Sequence, residues 1–349
     1  MPLVIGSLSR TDIMKLLVTG GAGFIGSNLI RHVINNPKIS CVVNLDCLTY
    51  AGNKESISDF NDSAKYNFAE VDLRDKQSLT SVVEKYDITH VMHLAAESHV
   101  DRSIAGPAEF IETNIVGTFN LIESCRNFWG DSFSGKRFLH VSTDEVYGSL
   151  GAEGLFTEDT PYAPSSPYSA SKASSDMLVK SYYHTYNFPV VVTNCSNNYG
   201  PFQHPEKLIP VVIHNIVTRQ PIPIYGDGMN VRDWLYVLDH AQALWKVLNS
   251  GENGETYNIG GNSEWANLRI VKLICNMIDD LAPHLGGDSS KLIKFVPDRP
   301  GHDRRYAIDA TKIKRELGWE PEYTFERGIR ETIEWYLEND EWVSRAMKK

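Results

Sequence analysis

Basic clusters, cysteine pairs and long apolar runs are what this sequence has little of, and each shortage removes a class of function. Its 34 Lys and Arg stand against 44 Asp and Glu, a formal charge of −10, with no local basic cluster. Such a balance repels phosphate backbones, so no nucleic-acid partner is expected. The five cysteines, at 41, 47, 125, 195 and 275, are odd in number and form no CxxC pair. Neither a disulfide framework nor a metal site is expected from them. No run approaches the roughly 18 apolar residues of a membrane helix. The opening MPLVIGSLSRTDI also lacks the charged start and apolar core of a signal peptide. The expectation is a cytoplasmic protein without a membrane partner. Residues 1–13 read as an N-terminal extension ahead of Met14, where the first strand begins.

What is there is ordinary globular material: 349 residues, 42% hydrophobic and 22% charged, which suffices for a large core and about two domains. From Lys15 onward, short β-branched runs alternate with helical stretches. The strands are KLLVTGG, CVVNLDCL, YNFAEVDL, HVMHLAA, RFLHVSTDEVYG and PVVVTNCSNNYG. Between them the spacing predicts helices ending near 35, over 76–86, over 107–129 and over 168–187. Continuous apolar strands separated by helices predict a parallel sheet covered on both faces, a doubly wound α/β (Rossmann) domain. It spans residues 14–199, with a returning segment near 237–265. After about Gly200 the spacing becomes irregular and richer in Pro and Gly, which predicts a smaller C-terminal α/β substrate-binding domain of loops and short elements in 200–349.

The segment Thr19-Gly20-Gly21-Ala22-Gly23-Phe24-Ile25-Gly26 follows a strand and opens a helix. Its glycines permit a tight turn and close backbone approach, so a pyrophosphate can rest on the helix N-terminus. Asp46 ends the next strand, 20 residues after Gly26. A carboxylate there accepts hydrogen bonds from ribose hydroxyls and repels a 2′-phosphate, which favours NAD over NADP. Asp72, placed at the end of the third strand, is a candidate contact for the adenine edge.

Tyr168 and Lys172 stand at i and i+4 of a helix, on one face. A nearby ammonium lowers a tyrosine's pKa, which would make the phenolate available as a base toward a substrate hydroxyl. With TGxxGxxG, a strand-end Thr143 and YxxxK in this order, the chain resembles the extended short-chain dehydrogenase/reductase family. Two carboxyls, Asp144 and Glu145, follow Thr143, where the family's epimerases typically carry small or neutral residues. A neutral acid beside an ionised base is what elimination of water requires.

Within that family the closer resemblance is to the nucleotide-sugar 4,6-dehydratases, over nearly the whole chain from Met14. It is carried by GGAGFIGSN, DCLTYAGN, HLAAESHVDRSI, VSTDEVYG, SPYSASKASSD, NNYGPFQHPEKLIP, YGDGMNVRDWLYVLDH and DRPGHDRRYAID. The dTDP-glucose enzymes rank ahead of plant-type UDP-glucose enzymes, which are less similar at AAESHVDRSI and RDWLYV. A sugar 4-epimerase and a non-catalytic NAD sensor are the remaining alternatives, and the carboxyl pair speaks against both.

The resemblance implies oxidation at sugar carbon 4 by Tyr168 and NAD, with Lys172 holding the nicotinamide ribose and Thr143 the oxygen at the reacting carbon. Glu145 would then remove the carbon 5 proton and Asp144 protonate the departing carbon 6 hydroxyl. It further implies cofactor contacts from Cys47, Leu48, Thr49, Leu73, Leu94, Ala95, Ala96, Thr113 and Asn198. Nucleotide-sugar contacts would come from Ser98, Asn197, Lys207, Leu208, Pro223, Tyr225, Arg232, Asn267, Asp298, Arg299 and His302. The helices near 107–129 and 168–187 would form the four-helix interface of a homodimer.

Overall fold

The computed structural model describes residues 13–298 and 303–348. Six strands come from the predicted runs: β1 (Met14–Thr19), β2 (Ile39–Asp46), β3 (Tyr66–Glu70), β4 (His90–His93), β5 (Arg137–Thr143) and β6 (Val190–Cys195). Seven more follow: β7 (Asn197–Tyr199), β8 (Ile222–Tyr225), β9 (Val231–Tyr236), β10 (Thr256–Ile259), β11 (Glu264–Ala266), β12 (Ile293–Val296) and β13 (Arg305–Tyr306). Among the described residues the largest sheet has seven strands in the order β10-β6-β5-β4-β1-β2-β3, all parallel. Leu16, Leu17, Val18, Val42, Val43, Val91, Met92, Phe138, Leu139, Val190 and Val191 are buried, as strands covered on both faces must be. The winding direction reverses between β1 and β4. Register pairs Thr19 with Leu45 and with His93, and Thr143 with Cys195, so the strands' carboxyl ends share one edge, where such sheets open a crevice.

The stretch predicted as one helix over 107–129 is instead three segments. A short turn at Pro107–Phe110 leads into a widened π-type stretch at Ile111–Gly117 and then the helix Thr118–Trp129. Gly117 lies against Leu73, where a Cβ would come within 2.8 Å of the leucine. The Asn114 side chain turns away to the Glu97 backbone, accepting from its N–H at 2.8 Å and donating to its carbonyl at 2.9 Å. Local widening of this kind re-aims side chains and concentrates at functional sites. Asp72 lies beyond the end of β3, because the strand stops at Glu70.

Past residue 200 the expectation of loops and short elements needs correcting. The helices Leu208–Val217, Asn267–Leu281 and Phe325–Glu338 pack there with β7, β9, β11 and β13 around Tyr199, Ile213, Trp234, Ile270, Ile274, Phe325 and Ile333. Ile270, Val271, Ile274, Cys275 and Ile278 recur at helical spacing on one face, a signal that the Pro- and Gly-rich connections around them obscured. The chain also re-enters the large sheet. The helix Val237–Ser250 is followed by β10, which pairs with β6. Among the described residues no helix is long and apolar enough to cross a membrane, and no group of three His, Cys, Asp or Glu could hold a metal ion.

Candidate active site

A cleft of about 390 Å³ opens at the carboxyl edge of the large sheet. On one side runs the glycine turn after β1. Gly20 adopts φ +72°, and a Cβ there would approach the Ala95 backbone to 2.8 Å, while one on Gly26 would collide with the Gly20 carbonyl. Bulk is therefore excluded from the start of the helix Phe24–Val33, whose Gly23 N-cap offers no capping side chain. Its first N–H groups are left to an anion. Asp46 spans the neighbouring strand end, with Oδ2 accepting from the Ala22 N–H at 3.0 Å and Oδ1 from the Leu48 N–H at 2.8 Å. These features suit a dinucleotide: a bare helix end for the pyrophosphate and a fixed carboxylate where the ribose would lie.

Tyr168 and Lys172 are delivered by the helix Pro167–Tyr186. Ser166 caps it in a reciprocal pair with Ser169, Pro167 fits the first turn, and Asn187 closes it at φ +54°. Both side chains are buried, and the Lys172 Nζ donates to the Val141 carbonyl at 2.8 Å. The expected ionisation of Tyr168 is corrected here. Burial, and after it the Glu145 charge, push its hydroxyl well above the ordinary phenol range, against the opposing Thr143 hydrogen bond. Burial lowers the Lys172 ammonium.

Thr143 ends β5 and accepts from the Glu145 N–H at 3.3 Å, starting the turn Asp144–Tyr147. The turn separates the two carboxyls. Asp144 is 2% exposed, and its Oδ2 has no hydrogen-bond partner among the described residues. Burial first, then the charges of Glu145 and Asp233, hold it well above the usual carboxylate range, with Arg232 and the Thr143 hydroxyl opposing. Glu145 is only partly buried and faces the cleft. The push on Asp144 favours a protonated acid beside a less buried carboxyl, the pairing that elimination needs.

All five predicted catalytic residues line this cleft, together with every predicted cofactor residue except Leu48, which turns at φ +55° behind Asp46. Asp72 lines it with its carboxylate clamped by Arg74, 2.6 Å from Nη2. Ser98, Asn197 and Lys207 are also on the wall, whereas Leu208, Pro223, Tyr225, Arg232, Asn267 and Asp298 are not. Those last six belong to the C-terminal assembly. Pro223 and Tyr225 lie on β8 beside β12, and the Arg232 guanidinium sits 4.3 Å over the Tyr306 ring, close enough to act on Asp144. Arg299 and His302 fall outside the described residues. The wall also includes Tyr50, Glu97, His204 and Glu206, which no motif had singled out as functional.

A family model described as GDP-mannose 4,6 dehydratase matches residues 17–332. The dTDP-glucose 4,6-dehydratase of Neisseria meningitidis serogroup B is 57% identical over 341 residues, 95% of this chain and 96% of that protein. Among solved structures, the dTDP-glucose 4,6-dehydratase of Bacillus anthracis in complex with NAD superposes with a TM-score of 0.85 at 46% identity, covering 95% of this chain and 99% of that one. The Streptomyces venezuelae dTDP-glucose 4,6-dehydratase, with NAD and TDP bound, gives 0.88 at 42% identity, with 95% and 100% covered. By fold, by site and by likeness over nearly its full length, the chain belongs to the dTDP-glucose 4,6-dehydratase family.

Proposed function

We propose that this protein is an NAD-dependent hydro-lyase that converts dTDP-glucose to dTDP-4-keto-6-deoxyglucose. The observation that carries the reading is the split environment of Asp144 and Glu145 on the cleft wall, one buried and pushed above the usual carboxylate range, one only partly buried, beside Thr143 and Tyr168. Gly20, Gly23, Gly26 and Asp46 would hold NAD, which when bound supplies the acceptor for the carbon 4 hydride and the donor for carbon 6. Tyr168 takes the carbon 4 hydroxyl proton as that carbon is oxidised, with Thr143 steadying the same oxygen. Tyr168 can take that proton only as the phenolate, after its own proton has left to solvent, and burial together with the Glu145 charge opposes that loss. The 4-keto group then acidifies the carbon 5 proton, Glu145 removes it, and Asp144 gives its proton to the departing carbon 6 hydroxyl. The large sheet would carry NAD, and the C-terminal assembly, with Arg232 and Lys207 as cationic partners for the diphosphate, the nucleotide sugar. Ile111, Phe119 and Met177, exposed along the two adjoining helices, would be covered in a homodimer.

Deuterium at carbon 4 should therefore appear at carbon 6 of the same molecule, and carbon 5 should gain a solvent hydrogen. Mass spectrometry of a mixed labelled and unlabelled reaction reads both. Label kept at carbon 4 would indicate an epimerase, and label in released NADH a net dehydrogenase; either overturns the dehydratase reading. For the cofactor, Asp46→Ala should cut NAD affinity about 10- to 100-fold, the loss of a charge-assisted hydrogen-bond pair. Titration calorimetry measures it. Unchanged NAD affinity, or NADP in the acid-released extract, would remove Asp46 from the ribose contact.

A further inference from the structure

The buried face of the helix Pro167–Tyr186 is polar: Lys172 and Asp176, one turn apart, are both turned toward the sheet, and Asp176 is 0% exposed. The Asp176 carboxylate accepts hydrogen bonds from His140 Nε2 at 3.0 Å, Ser142 Oγ at 2.7 Å and the Tyr162 hydroxyl at 3.0 Å. Three donors satisfy its oxygens but leave its charge to be balanced. His140 does not balance it. The Nδ1 of that ring has no partner among the described residues, so a second proton would be buried and unpaired, and burial together with Lys172 keeps the ring neutral.

We propose that Asp176 is the buried counter-ion of Lys172, a positioning residue for the proton transfer at carbon 4, and this rests on the role given above to Tyr168 and Lys172. Among the described residues, the groups facing Lys172 leave no other anion in that place. Tyr168 comes from its own helix, His93 from β4, His140 from β5 and Cys195 from β6, while Tyr162 and Lys180 act on Asp176. Both histidines are held neutral by burial, and the Cys195 thiol is pushed up to about 12, so it too carries no charge. Burial works against the lysine ammonium, and the Asp176 carboxylate is the first influence restoring it. The Val141 carbonyl fixes the direction of the ammonium but supplies only a dipole.

The test uses NAD-loaded enzyme carrying Asp176→Asn, Lys172→Met and both together. Activity needs the charged lysine, so it falls as pH rises through the lysine's pKa. Asp176→Asn should move this alkaline limb of kcat down by about one pH unit or more, a tenfold loss per unit within the shifted window. Thermal unfolding supplies a readout independent of substrate. Asp176→Asn should lower Tm more in the wild type than in the Lys172→Met background, where the carboxylate has already lost its partner and only its hydrogen bonds remain to be lost. An unmoved limb, or the same Tm loss in both backgrounds, overturns the proposal. Should Asp176→Asn alone fail to fold, the double variant decides, because removing the unpaired lysine should restore folding, and a double variant that also fails to fold overturns it. The unfolding cycle stands whether or not the labelled carbon 4 hydrogen reaches carbon 6, so the two readings fail separately.

Discussion

Asp144→Asn is expected to lose turnover about 10²- to 10⁴-fold, the usual worth of a positioned acid, and at the same time to make the protein more stable at neutral pH. The two effects have one cause. Asp144 is 2% exposed, with Oδ2 unpartnered among the described residues, so its folded-state pKa lies well above its unfolded value. As pH rises past the ordinary carboxylate range, the unfolded chain releases this proton and the folded protein keeps it. Stability therefore falls by about 1.4 kcal/mol per pH unit until the raised folded pKa is passed. Asparagine keeps the shape and cannot ionise in either state. The variant should match the wild type near pH 4 and exceed it increasingly as pH rises, until the raised folded pKa of Asp144 is passed, as thermal unfolding across neutral pH will reveal. Parallel Tm curves would mean that Asp144 is ionised in the fold and is not the acid that releases carbon 6.

The residues legible in the sequence are those whose chemistry is set within one turn of chain. The glycine turn needs only Gly20, Gly23 and Gly26 in register between a strand and a helix. The Tyr168–Lys172 pair needs only helical spacing, and Asp144 and Glu145 are adjacent. Each of these reached the cleft as its local pattern required. What the chain did not disclose depends on partners far away along it. The upward push on the Tyr168 hydroxyl comes chiefly from its burial, and no spacing rule records how deeply the fold buries a side chain. Asp176 stands four residues after Lys172 in SPYSASKASSD, in plain view, yet its meaning lies in His140, Ser142 and Tyr162, which the fold brings from 14 to 36 positions away. Tyr50 in DCLTYAGN and His204 and Glu206 in NNYGPFQHPEKLIP are about 150 residues apart in sequence, and only the fold brings them to one cleft wall. The widened turn at Ile111–Gly117 answers the approach of Leu73, a tertiary contact that helical periodicity cannot anticipate.

Glu145→Gln is expected to stop the reaction halfway. Glu145 is less buried than Asp144, and its charge pushes the Asp144 carboxyl up, which suits Glu145 to be the group that accepts the carbon 5 proton. Glutamine preserves the side chain's length and the backbone N–H donated to Thr143 Oγ1 at 3.3 Å, while removing the base. Oxidation at carbon 4 depends on Tyr168, Lys172 and Thr143 and should survive. Overall turnover should drop about 10²- to 10⁴-fold, and the near-ultraviolet absorbance of reduced cofactor should build up on the enzyme and persist. Tyr168→Phe supplies the contrast, since it should lose turnover comparably and accumulate no reduced cofactor. The neighbouring acid gives a second check, because without the Glu145 charge beside it the Asp144 proton should be held less tightly. The stability lost by the variant between pH 4 and pH 8 should then be smaller than in the wild type. Near wild-type turnover in Glu145→Gln, or a loss of turnover with no reduced cofactor, would move the base to another residue and leave Glu145 only its influence on Asp144.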